Sequence, residues 1–519
     1  MRKVLVYGLG LSGISTVKTL SKLGYEVYTF DKNKEKVDQL KGYDYSPISL
    51  LNIGEINYKY VVKSPGIKPS DDILQKLAKK YEIISDIELS YRIFPKKKIL
   101  AVTGTNGKTS TTSMITHILN ESGIKAISVG NIGEGILWQM HNNSDAVFVE
   151  ELSSFQLKNT YDFHPHIASI LNITEDHLDW HKDFDDYINS KLNIAKNQTN
   201  KDYIVINKND EILQKNKKRF QGQIYEFSSV GPVKRGLYLK NNKIYYIDEI
   251  ENYELLDTSD LRIIGNHNYE NLMAAMLEAY LFGIDFEKII EASKTFVSIE
   301  HRLEFVDEVK GVKIYNDSKA TNVDSAVKAI KSFSNPIIII AGGYDKKIDY
   351  SDYVKEFKNN GKLMVIMGDT KTQIKNLCED YGVRYILADD MDDAVKKAID
   401  NAKSNDTILL SPASASWDMY PSYEVRGKDF KEKIEKYKGM IKWMWLFQVG
   451  EQADIFILPL PSPKKSKKIL KMLIYYMLEL KADLKKLLLK NMAINLLQSK
   501  AWACQGKLIK DFLNQSPQT

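Results

Sequence analysis

The sequence contains very little cysteine and no long apolar run. Two cysteines among 519 residues cannot supply the ligand spacing of a zinc site or a disulfide framework, and such scarcity is typical of a reducing compartment. Apolar stretches such as PIIIIAGG, residues 336–343, are far shorter than the ~18 residues that a transmembrane helix needs. The N-terminus also lacks the pattern of a signal peptide. We therefore expect a cytoplasmic protein without a membrane span.

Excess basic charge is absent from most of the chain. Residues 440–519 hold 13 Lys and Arg against 5 Asp and Glu, whereas the first 439 residues hold 60 basic and 62 acidic side chains. The net charge of +6 therefore belongs to the tail, and the main body lacks the basic surface that nucleic-acid binding requires. We expect a monomer that acts on small molecules and has no nucleic-acid partner.

Short β-branched runs alternate with helical segments through the first 439 residues. This alternation predicts an α/β protein with parallel sheets, and the length allows three or four domains. We place the domains at residues 1–93, 94–298 and 299–439. The second is expected to contain a more irregular stretch at about 220–260 that carries the strand-like LYLKNNKIYYI, residues 237–247. The third is expected to end with a helix that closes at Gly439.

The tail, residues 440–519, does not continue the alternation. It contains PSPKKSKK and the Lys/Leu-rich stretch ILKMLIYYMLELKADLKKLLLK. One interpretation is a basic amphipathic helix for an anionic membrane surface. The other, which we favour, is an appended or out-of-frame segment, helical or disordered, without a fold of its own.

The first motif is GLGLSG, directly after the predicted strand KVLVYG. Its glycines, Gly8, Gly10 and Gly13, allow the backbone to approach a phosphate, and the following helix offers unpaired N–H groups. Asp31, at the end of the next strand, is placed to accept a hydrogen bond. This pattern predicts a pyrophosphate-bearing ligand but does not identify a nicotinamide; the alternative is a turn that only packs a helix on a strand.

The second motif is TGTNGKTST, residues 103–111. In a nucleoside-triphosphate loop, Lys108 reaches the β- and γ-phosphates and the Thr109 hydroxyl binds Mg²⁺. The usual G-x-x-x-x-G-K-[ST] spacing requires glycine at position 102, where this chain has Val102, but the shortened loop still forms a backbone cradle at a helix start.

Three further side chains follow predicted strands or helices in the same domain. Glu151 ends an apolar strand, where Mg²⁺ sites of parallel sheets form; His177 follows another strand, and Lys191 lies in NSKLNIAK. Taken singly, a surface carboxylate, a satisfied histidine and a solvated lysine are equally good readings of these residues.

Taken together, the motifs resemble the Mur ligase family. GTNGKTSTT, GNIG, EELSSFQL, NITEDHLD, GNHNYEN, HRLE, YNDSKATN, AGGYDK and LSPASASWD occur in that order over residues 1–439. ELSSFQL and NDSKATN are similar to the branch that adds D-glutamate to UDP-N-acetylmuramoyl-L-alanine; other branches typically carry Asp-x-x-His in place of NDSKATN. The resemblance implies Rossmann-like first and third domains, a central P-loop ATPase-like domain, and amide formation through an ATP-derived acyl phosphate.

The resemblance also implies cofactors and ATP-site roles. Two Mg²⁺ ions are expected, one on Thr109 and Glu151 and one on His177 and Lys191, the lysine being carbamylated by CO₂ in this family. Lys319 joins Lys108, Glu151, His177 and Lys191 as a catalytic residue. The expected ATP contacts are Gly104, Thr105, Asn106, Gly107, Lys108, Thr109, Ser110, Asn271, Arg302 and Asp317.

The remaining implied residues contact the other two substrates. For the UDP substrate they are Gly8, Gly10, Leu11, Ser12, Gly13, Asp31, Ser64, Pro65, Gly66, Asn131, Ser153 and His177. For D-glutamate or the transferred phosphate they are Lys319, Thr321, Lys346, Ser416 and Tyr423, with Asp345 beside them. The family commonly has phenylalanine where Tyr423 stands.

Three alternatives remain open at this point. An NAD-dependent oxidoreductase built on GLGLSG would leave the other motifs without a role. A binding module that has kept the fold but lost catalysis would not need Lys108, Glu151, His177, Lys191 and Lys319. A sister ligase that adds another amino acid is the closest competitor.

Overall fold

A computed structural model describes residues 2–33 and 40–450 of the chain, with residues 439–450 described by their backbone alone. Three sheets, all within the compact unit Met1–Lys438, confirm the predicted multi-domain α/β class. Each sheet lies within one predicted domain; the boundaries of these domains stay a prediction. The predictions for residues 451–519 lie outside the described residues. No helix in the described part of the chain is long and apolar enough to cross a membrane.

The first sheet is fully parallel, with the strand order β3-β2-β1-β4-β5. The order reverses between β1 and β4, and a ligand crevice forms at the carboxyl ends of strands at such a switch point. The elements are β1 (Lys3–Tyr7), α1 (Leu11–Lys22), β2 (Glu26–Phe30), β3 (Ser46–Pro47), β4 (Tyr60–Lys63), α2 (Asp72–Ala78), β5 (Ile83–Ile84) and α3 (Asp86–Ile93).

The second sheet has nine strands in the order β14-β13-β12-β11-β10-β9-β6-β8-β7. Its strands are β6 (Lys98–Thr103), β7 (Ala126–Gly130), β8 (Val147–Glu151), β9 (Ile167–Ile170), β10 (Tyr203–Asn207), β11 (Gln223–Ser228), β12 (Gly236–Lys240), β13 (Lys243–Ile247) and β14 (Asn252–Asp257). Its helices are α4 (Lys108–Glu121), α5 (Ile136–Asn142), α6 (Ser154–Leu157), α7 (Phe184–Leu192), α8 (Glu211–Asn216), α9 (Asn266–Phe282) and α10 (Phe286–Thr295). β6 lies between β8 and β9, so its carboxyl end is a second switch point.

The strand-like LYLKNNKIYYI is confirmed as β12 and β13, but the prediction that 220–260 as a whole is more irregular is wrong. β11 continues the parallel part of the sheet, and β12, β13 and β14 form an antiparallel meander at its edge. The turn between β12 and β13 consists of Asn241 and Asn242, with φ of 51° and 60°. Asparagine tolerates this left-handed region, which a two-residue hairpin turn requires.

The third sheet has the order β15-β16-β20-β17-β18-β19, parallel except for β15 against β16. Its strands are β15 (Glu304–Val309), β16 (Val312–Asn316), β17 (Ile337–Ala341), β18 (Gly361–Ile366), β19 (Tyr385–Leu387) and β20 (Thr407–Leu410). Its helices are α11 (Val323–Ile330), α12 (Ser351–Asn360), α13 (Lys371–Tyr381), α14 (Met391–Asn401) and α15 (Tyr423–Gly450).

The last helix does not close at Gly439, as predicted, but continues to Gly450. No proline or second glycine lies between these two positions. A single glycine inside a helix costs only about 1 kcal/mol relative to alanine, so Gly439 alone does not end it.

The first two sheets share one apolar core. Val17 of α1, Ile87 of α3, Ile136 of α5 and Phe148 of β8 belong to a single buried cluster. This packing fixes the carboxyl ends of β1 and β4 beside the central domain and so positions the candidate site.

Candidate functional site

The first part of the site is a cleft of about 770 Å³ at the carboxyl ends of β1 and β4. Gly8, with φ of 96°, packs so closely that an added Cβ would lie 2.8 Å from Ser64 Cβ. A Cβ on Gly13 would lie 1.9 Å from the Gly8 carbonyl oxygen. Both positions therefore require glycine, and the loop between them brings its backbone into the cleft.

Two polar side chains hold this loop in place. The Asp31 carboxylate accepts a hydrogen bond from the Leu9 N–H at 2.5 Å, and the Ser64 hydroxyl donates to the Gly8 carbonyl at 2.7 Å. Most of the predicted UDP-substrate residues line the cleft, namely Gly8, Gly10, Leu11, Ser12, Asp31, Ser64, Pro65, Gly66 and Asn131. Gly13, Ser153 and His177 are not among its lining residues.

The second part is the loop between β6 and α4. Gly104 and Gly107 have φ of 156° and 87°, and a Cβ on Gly107 would lie 2.3 Å from Asn271 Oδ1. Asn172 holds the loop by accepting from the N–H groups of Thr105 at its backbone oxygen and of Asn106 at its side chain. The N-terminal N–H groups of α4, which begins at Lys108, are a ready site for a phosphate.

The absent glycine at position 102 has a structural reason. Val102 is fully buried inside β6 and pairs with neighbouring strands on both sides. The strand runs on to Thr103, so the loop begins only at Gly104 and is shorter than the usual one.

Two lysines meet at the Gly104 carbonyl oxygen. Lys108 Nζ donates to it at 2.8 Å and Lys191 Nζ at 2.7 Å. Lys191 is only 2% exposed, although its sequence setting alone favours a surface lysine. Burial, and next the positive charge of Lys108, hold the pKa of Lys191 well below its usual value. Burial therefore makes the ammonium form of Lys191 less favourable than that of an exposed lysine.

A carboxylate lies at the end of β8, beside this loop. Glu151 is 2% exposed; its Oε1 accepts from Asn131 Nδ2 at 3.0 Å, while its Oε2 has no hydrogen-bond partner among the described residues. A buried acceptor left unpaired costs about 1–3 kcal/mol. Asn131 also lines the first cleft, so the two parts of the site are in contact through this pair.

His177 lies on the loop before α7 with φ of 53°. Its ring contacts Phe155 at a centroid distance of 4.9 Å, and its side chain is half exposed. The neighbouring His181 is the buried histidine, held by Asp186 and by the Ser154 hydroxyl, both at 2.9 Å. Ser153 caps α6 by accepting from the Gln156 N–H.

The third domain contributes an arginine and a buried carboxyl group. Arg302 Nη2 lies 3.4 Å from Thr109 Oγ1 and so reaches the first turn of α4. Asp317 follows β16 and accepts from the Ser411 hydroxyl at 2.8 Å and from the Leu303 N–H at 3.2 Å. Burial raises the pKa of Asp317 to about 7, against these hydrogen bonds and the charge of Arg302.

The predicted catalytic lysine of this domain lies against an aromatic ring. Lys319 Nζ is 3.8 Å from the ring centre of Tyr423. Burial, and next Arg302, lower the pKa of Lys319, while the Glu424 and Glu151 carboxylates oppose the shift. Lys319 is therefore within electrostatic range of Glu151.

The loops that follow β16, β17 and β20 carry the other residues predicted to contact D-glutamate. Lys346 Nζ lies 5.3 Å from the ring centre of Trp417, and Ser416 is buried beside Trp417. Asp345 forms an ion pair with Lys347. Thr321 lies two positions after Lys319, and the Thr321 N–H donates to the Lys319 carbonyl.

Comparisons with known proteins decide the family. Residues 102–279 match the Mur ligase middle domain, and residues 301–414 match the Mur ligase glutamate ligase domain. A UDP-N-acetylmuramoylalanine–D-glutamate ligase of Clostridioides difficile is 41% identical, over 84% of this chain and 99% of that protein. One of the same name from Thermoanaerobacter pseudethanolicus is 38% identical over the same shares. The chain belongs to the Mur ligase family.

Solved structures agree with this assignment at the level of the fold. A pseudomurein peptide ligase type C from Methanothermus fervidus has a TM-score of 0.51 and 19% identity, over 84% of this chain and 100% of that chain. The UDP-N-acetylmuramate–alanine ligase MurC of Thermotoga maritima has a TM-score of 0.50 and 16% identity over the same shares.

Several residues that shape this Mur ligase site were not identified from the sequence. Asn172 stands in the motif NITEDHLD and was available as a signal, whereas the Tyr187 hydroxyl, 2.9 Å from Thr105 Oγ1, follows no recognisable pattern. Arg426 is buried and donates to both the hydroxyl and the carbonyl of Ser318, which supports the loop before Lys319.

One group of side chains in the described residues has metal-like spacing, and it borders the site, since the His301 ring contacts Tyr423 at 6.1 Å. Glu300, His301 and Glu304 place ligand atoms within 4.8 Å of one another. The Lys431 ammonium pairs with both carboxylates, at 2.6 and 2.8 Å. The negative charge of this group is therefore already partly neutralised.

Proposed function

We propose that this Mur ligase joins D-glutamate to UDP-N-acetylmuramoyl-L-alanine at the expense of ATP, in peptidoglycan precursor synthesis. The observation that carries the proposal is the near full-length match to relatives of that name: a third one, from Lachnoclostridium phytofermentans, is 40% identical over 98% of its own length. In the reaction, the substrate carboxylate attacks the γ-phosphorus of ATP and releases ADP. The D-glutamate amine then displaces phosphate from the acyl phosphate to form the amide.

The first cleft would hold the UDP group. The N-terminal N–H groups of α1 and the glycine loop suit a diphosphate. The contact of Asn131 with Glu151 supports a substrate that extends from this cleft toward the ATP loop, with its carboxylate at the far end.

The loop Gly104–Ser110 and the residues around it would hold ATP. The α4 N–H groups and Lys108 would bind the phosphates, and Arg302 would add a second cation near Thr109. Asn271 packs against Gly107, and Asp317 offers two acceptor oxygens to a ribose. Two fixed cations beside the transferred phosphoryl group offset the charge repulsion between two anionic reactants.

The oxygen donors around Glu151 fit Mg²⁺, which prefers carboxylate and hydroxyl ligands. Glu151, with its unpaired buried Oε2, and the Thr109 hydroxyl would hold one ion; His177 and Lys191 would hold the second. Bound Mg²⁺ would neutralise phosphate charge and orient the γ-phosphoryl group.

Lys191 can serve a cation only after modification, because an ammonium has no lone pair. Its low pKa supports the carbamate: a neutral amine adds to CO₂, losing one proton, and yields an anionic carboxylate oxygen. The buried position that lowers the pKa of Lys191 is also next to the ATP loop, because its Nζ donates to the Gly104 carbonyl.

The third domain would bind D-glutamate, a dicarboxylate. Lys319 and Lys346 would neutralise its carboxylates, and Thr321, Ser416 and Tyr423 would donate hydrogen bonds. Lys319, being within electrostatic reach of Glu151, is also the lysine placed to contact the transferred phosphate. We place the enzyme in the cytoplasm, where ATP is available, and its action as a monomer stays a prediction.

An amino-acid panel tests the proposal. The full chain, UDP-N-acetylmuramoyl-L-alanine, ATP and Mg²⁺ are incubated with D-glutamate, L-glutamate, L-alanine, glycine, L-lysine or meso-diaminopimelate, and phosphate release is measured. We expect release with D-glutamate alone, and none when the UDP substrate is omitted. Release with another amino acid instead would indicate a sister ligase, and release with none would indicate a protein that has lost catalysis.

A further inference from the structure

Lys63 is a buried lysine at the carboxyl end of β4, with 1% of its surface exposed. Its ammonium donates to the Ile67 carbonyl at 3.0 Å and lies 3.4 Å from the carbonyls of Ser64 and Pro65. All three acceptors belong to the turn that follows β4. Because a buried ammonium is costly unless its N–H groups are satisfied, the turn and the lysine depend on each other for their geometry.

This turn in turn fixes the glycine loop. Besides its hydrogen bond to the Gly8 carbonyl, Ser64 donates its N–H to the Tyr7 carbonyl at 2.9 Å. A displacement of the turn would therefore move the loop that is proposed to hold the diphosphate.

On its other side, Lys63 contacts the central domain. Its Nζ lies 5.0 Å from the ring centre of Trp180, within the range of a cation–π interaction. Trp180 is 7% exposed and packs on Phe155 at 4.4 Å, and Phe155 contacts the ring of His177. Outside this buried contact, Lys68 Nζ donates to the Asp179 carbonyl at 2.7 Å.

Charged groups on two other elements act on Lys63. Burial lowers its pKa to about 8; Asp86, at the start of α3, opposes this shift, and Lys158, after α6, adds to it. Asp86 belongs to the first domain and Lys158 to the central domain, so both domains act on Lys63 electrostatically as well as by contact.

We infer that Lys63 is a positioning residue that holds the diphosphate turn and the loop of His177 in one fixed arrangement through its contact with Trp180. This inference rests on the proposed function, since it assumes that the first cleft binds the UDP substrate. If the inference is right, one side chain that touches neither substrate, Lys63, controls both substrate binding in the first cleft and the position of the His177 loop.

Binding measurements on the full chain test the inference. Lys63→Met keeps the aliphatic stem and removes the ammonium. By isothermal titration calorimetry, we expect the Kd for UDP-N-acetylmuramoyl-L-alanine to rise about tenfold or more, the scale of a lost charged hydrogen bond. The Kd for a non-hydrolysable ATP analogue should change less than about twofold, because the ATP loop keeps its own contacts. A purely structural loss would weaken both ligands alike, and that result would overturn the inference.

Trp180→Leu tests the same contact from the central domain and stands in for Lys63→Met if that variant does not fold. We expect a similar rise in the Kd for the UDP substrate, and a double variant close to either single variant, because contacting residues are not additive. Lys63→Arg, which restores a cation, should recover part of the affinity. Additive effects of the two single variants would contradict a role that acts through their contact.

Lys80→Met is the matched control. Lys80 also donates to a backbone carbonyl, that of Gly54 at 3.0 Å, and lies 5.1 Å from a ring centre, that of Tyr81, but away from the cleft. The Kd values of Lys80→Met for the UDP substrate and for the ATP analogue should equal those of the wild type. Wild-type turnover with D-glutamate separates the two proposals: its absence would overturn the proposed function, whereas an unchanged Kd for the UDP substrate in Lys63→Met, with turnover intact, would overturn only the role of Lys63.

Discussion

The glycine loop after β1 and the loop after β6 have the same local design. Each joins a buried parallel strand to a helix at a switch point of its sheet, and each contains glycines in conformations that other residues rarely adopt, such as Gly8 and Gly107. Each also packs against a neighbouring segment so closely that a Cβ would clash. The backbone alone does not say which loop takes part in a reaction.

The surroundings of the two loops differ in charge. The glycine loop is held by Asp31 and Ser64, which bond to its backbone, whereas the second loop has the buried Lys191 and Glu151 and the partly buried Lys108 around it. Side chains that fix the backbone are sufficient to bind a group that does not react, such as a diphosphate. Desolvated charges of both signs are what a reaction needs when charge develops in its transition state. This difference supports the proposal that the first loop binds the UDP substrate and that the second takes part in phosphoryl transfer.

Replacing Lys191 should give the largest difference between the loops. We expect Lys191→Ala to lower kcat at least about a thousandfold, since it removes a group placed at the reacting phosphates, and to leave the Kd for the UDP substrate within about twofold. Steady-state kinetics and calorimetry measure the two quantities. Lys196→Ala, at an exposed lysine five positions on, is the control and should behave as the wild type.

Chemical rescue distinguishes two roles for Lys191. If the carbamate supplies an anionic ligand, short carboxylates such as acetate should restore part of the activity of Lys191→Ala and alkylamines should not. The opposite pattern would show that Lys191 acts as a plain cation.

Replacing Asp31 should have a smaller effect, confined to the first loop. Asp31→Ala removes an acceptor for the Leu9 N–H, and we expect the KM for the UDP substrate to rise about tenfold to thirtyfold, with the KM for ATP nearly unchanged. Asp248→Ala is the control. It removes a similar carboxylate acceptor for the N–H groups of Ile250 and Glu251, in a turn far along the chain, and should alter neither KM. Equal rises in both KM values would contradict the separation of the two loops.

How much of this difference could be predicted from the sequence depends on the residue. The strand–glycine–helix pattern placed both loops correctly, because glycine requirements and β-branched runs are local properties. The burial of Lys191 could not be predicted, since it results from the packing of α7 against a loop 87 positions away. The resemblance named the lysine, but the desolvation that explains its chemistry is a tertiary property.

The same distinction explains the predictions that were wrong. The strand-like LYLKNNKIYYI correctly predicted β12 and β13, whereas the strands on either side of it, β11 and β14, were missed. The continuation of α15 beyond Gly439 reflects the weakness of a single glycine as a helix terminator. Lys63 and Trp180 could not be paired from the sequence, because they lie on different domains.

The smallest expected effect is a pH dependence of ATP binding alone, which comes from Asp317 in the third domain. Because burial raises the pKa of Asp317 to about 7, this carboxyl group is ionised above that pH and neutral below it. The ionised form accepts hydrogen bonds at both oxygens, so we expect the KM for ATP to rise about fivefold as the pH falls from 8 to 6. Asp317→Asn cannot titrate and should show a higher KM that is flat over this range, with the KM for the UDP substrate equally flat in both proteins. A matching rise in the KM for ATP of the Asp317→Asn variant would show that another group, or ATP itself, is responsible. The pH dependence would then not distinguish ATP binding from binding of the UDP substrate.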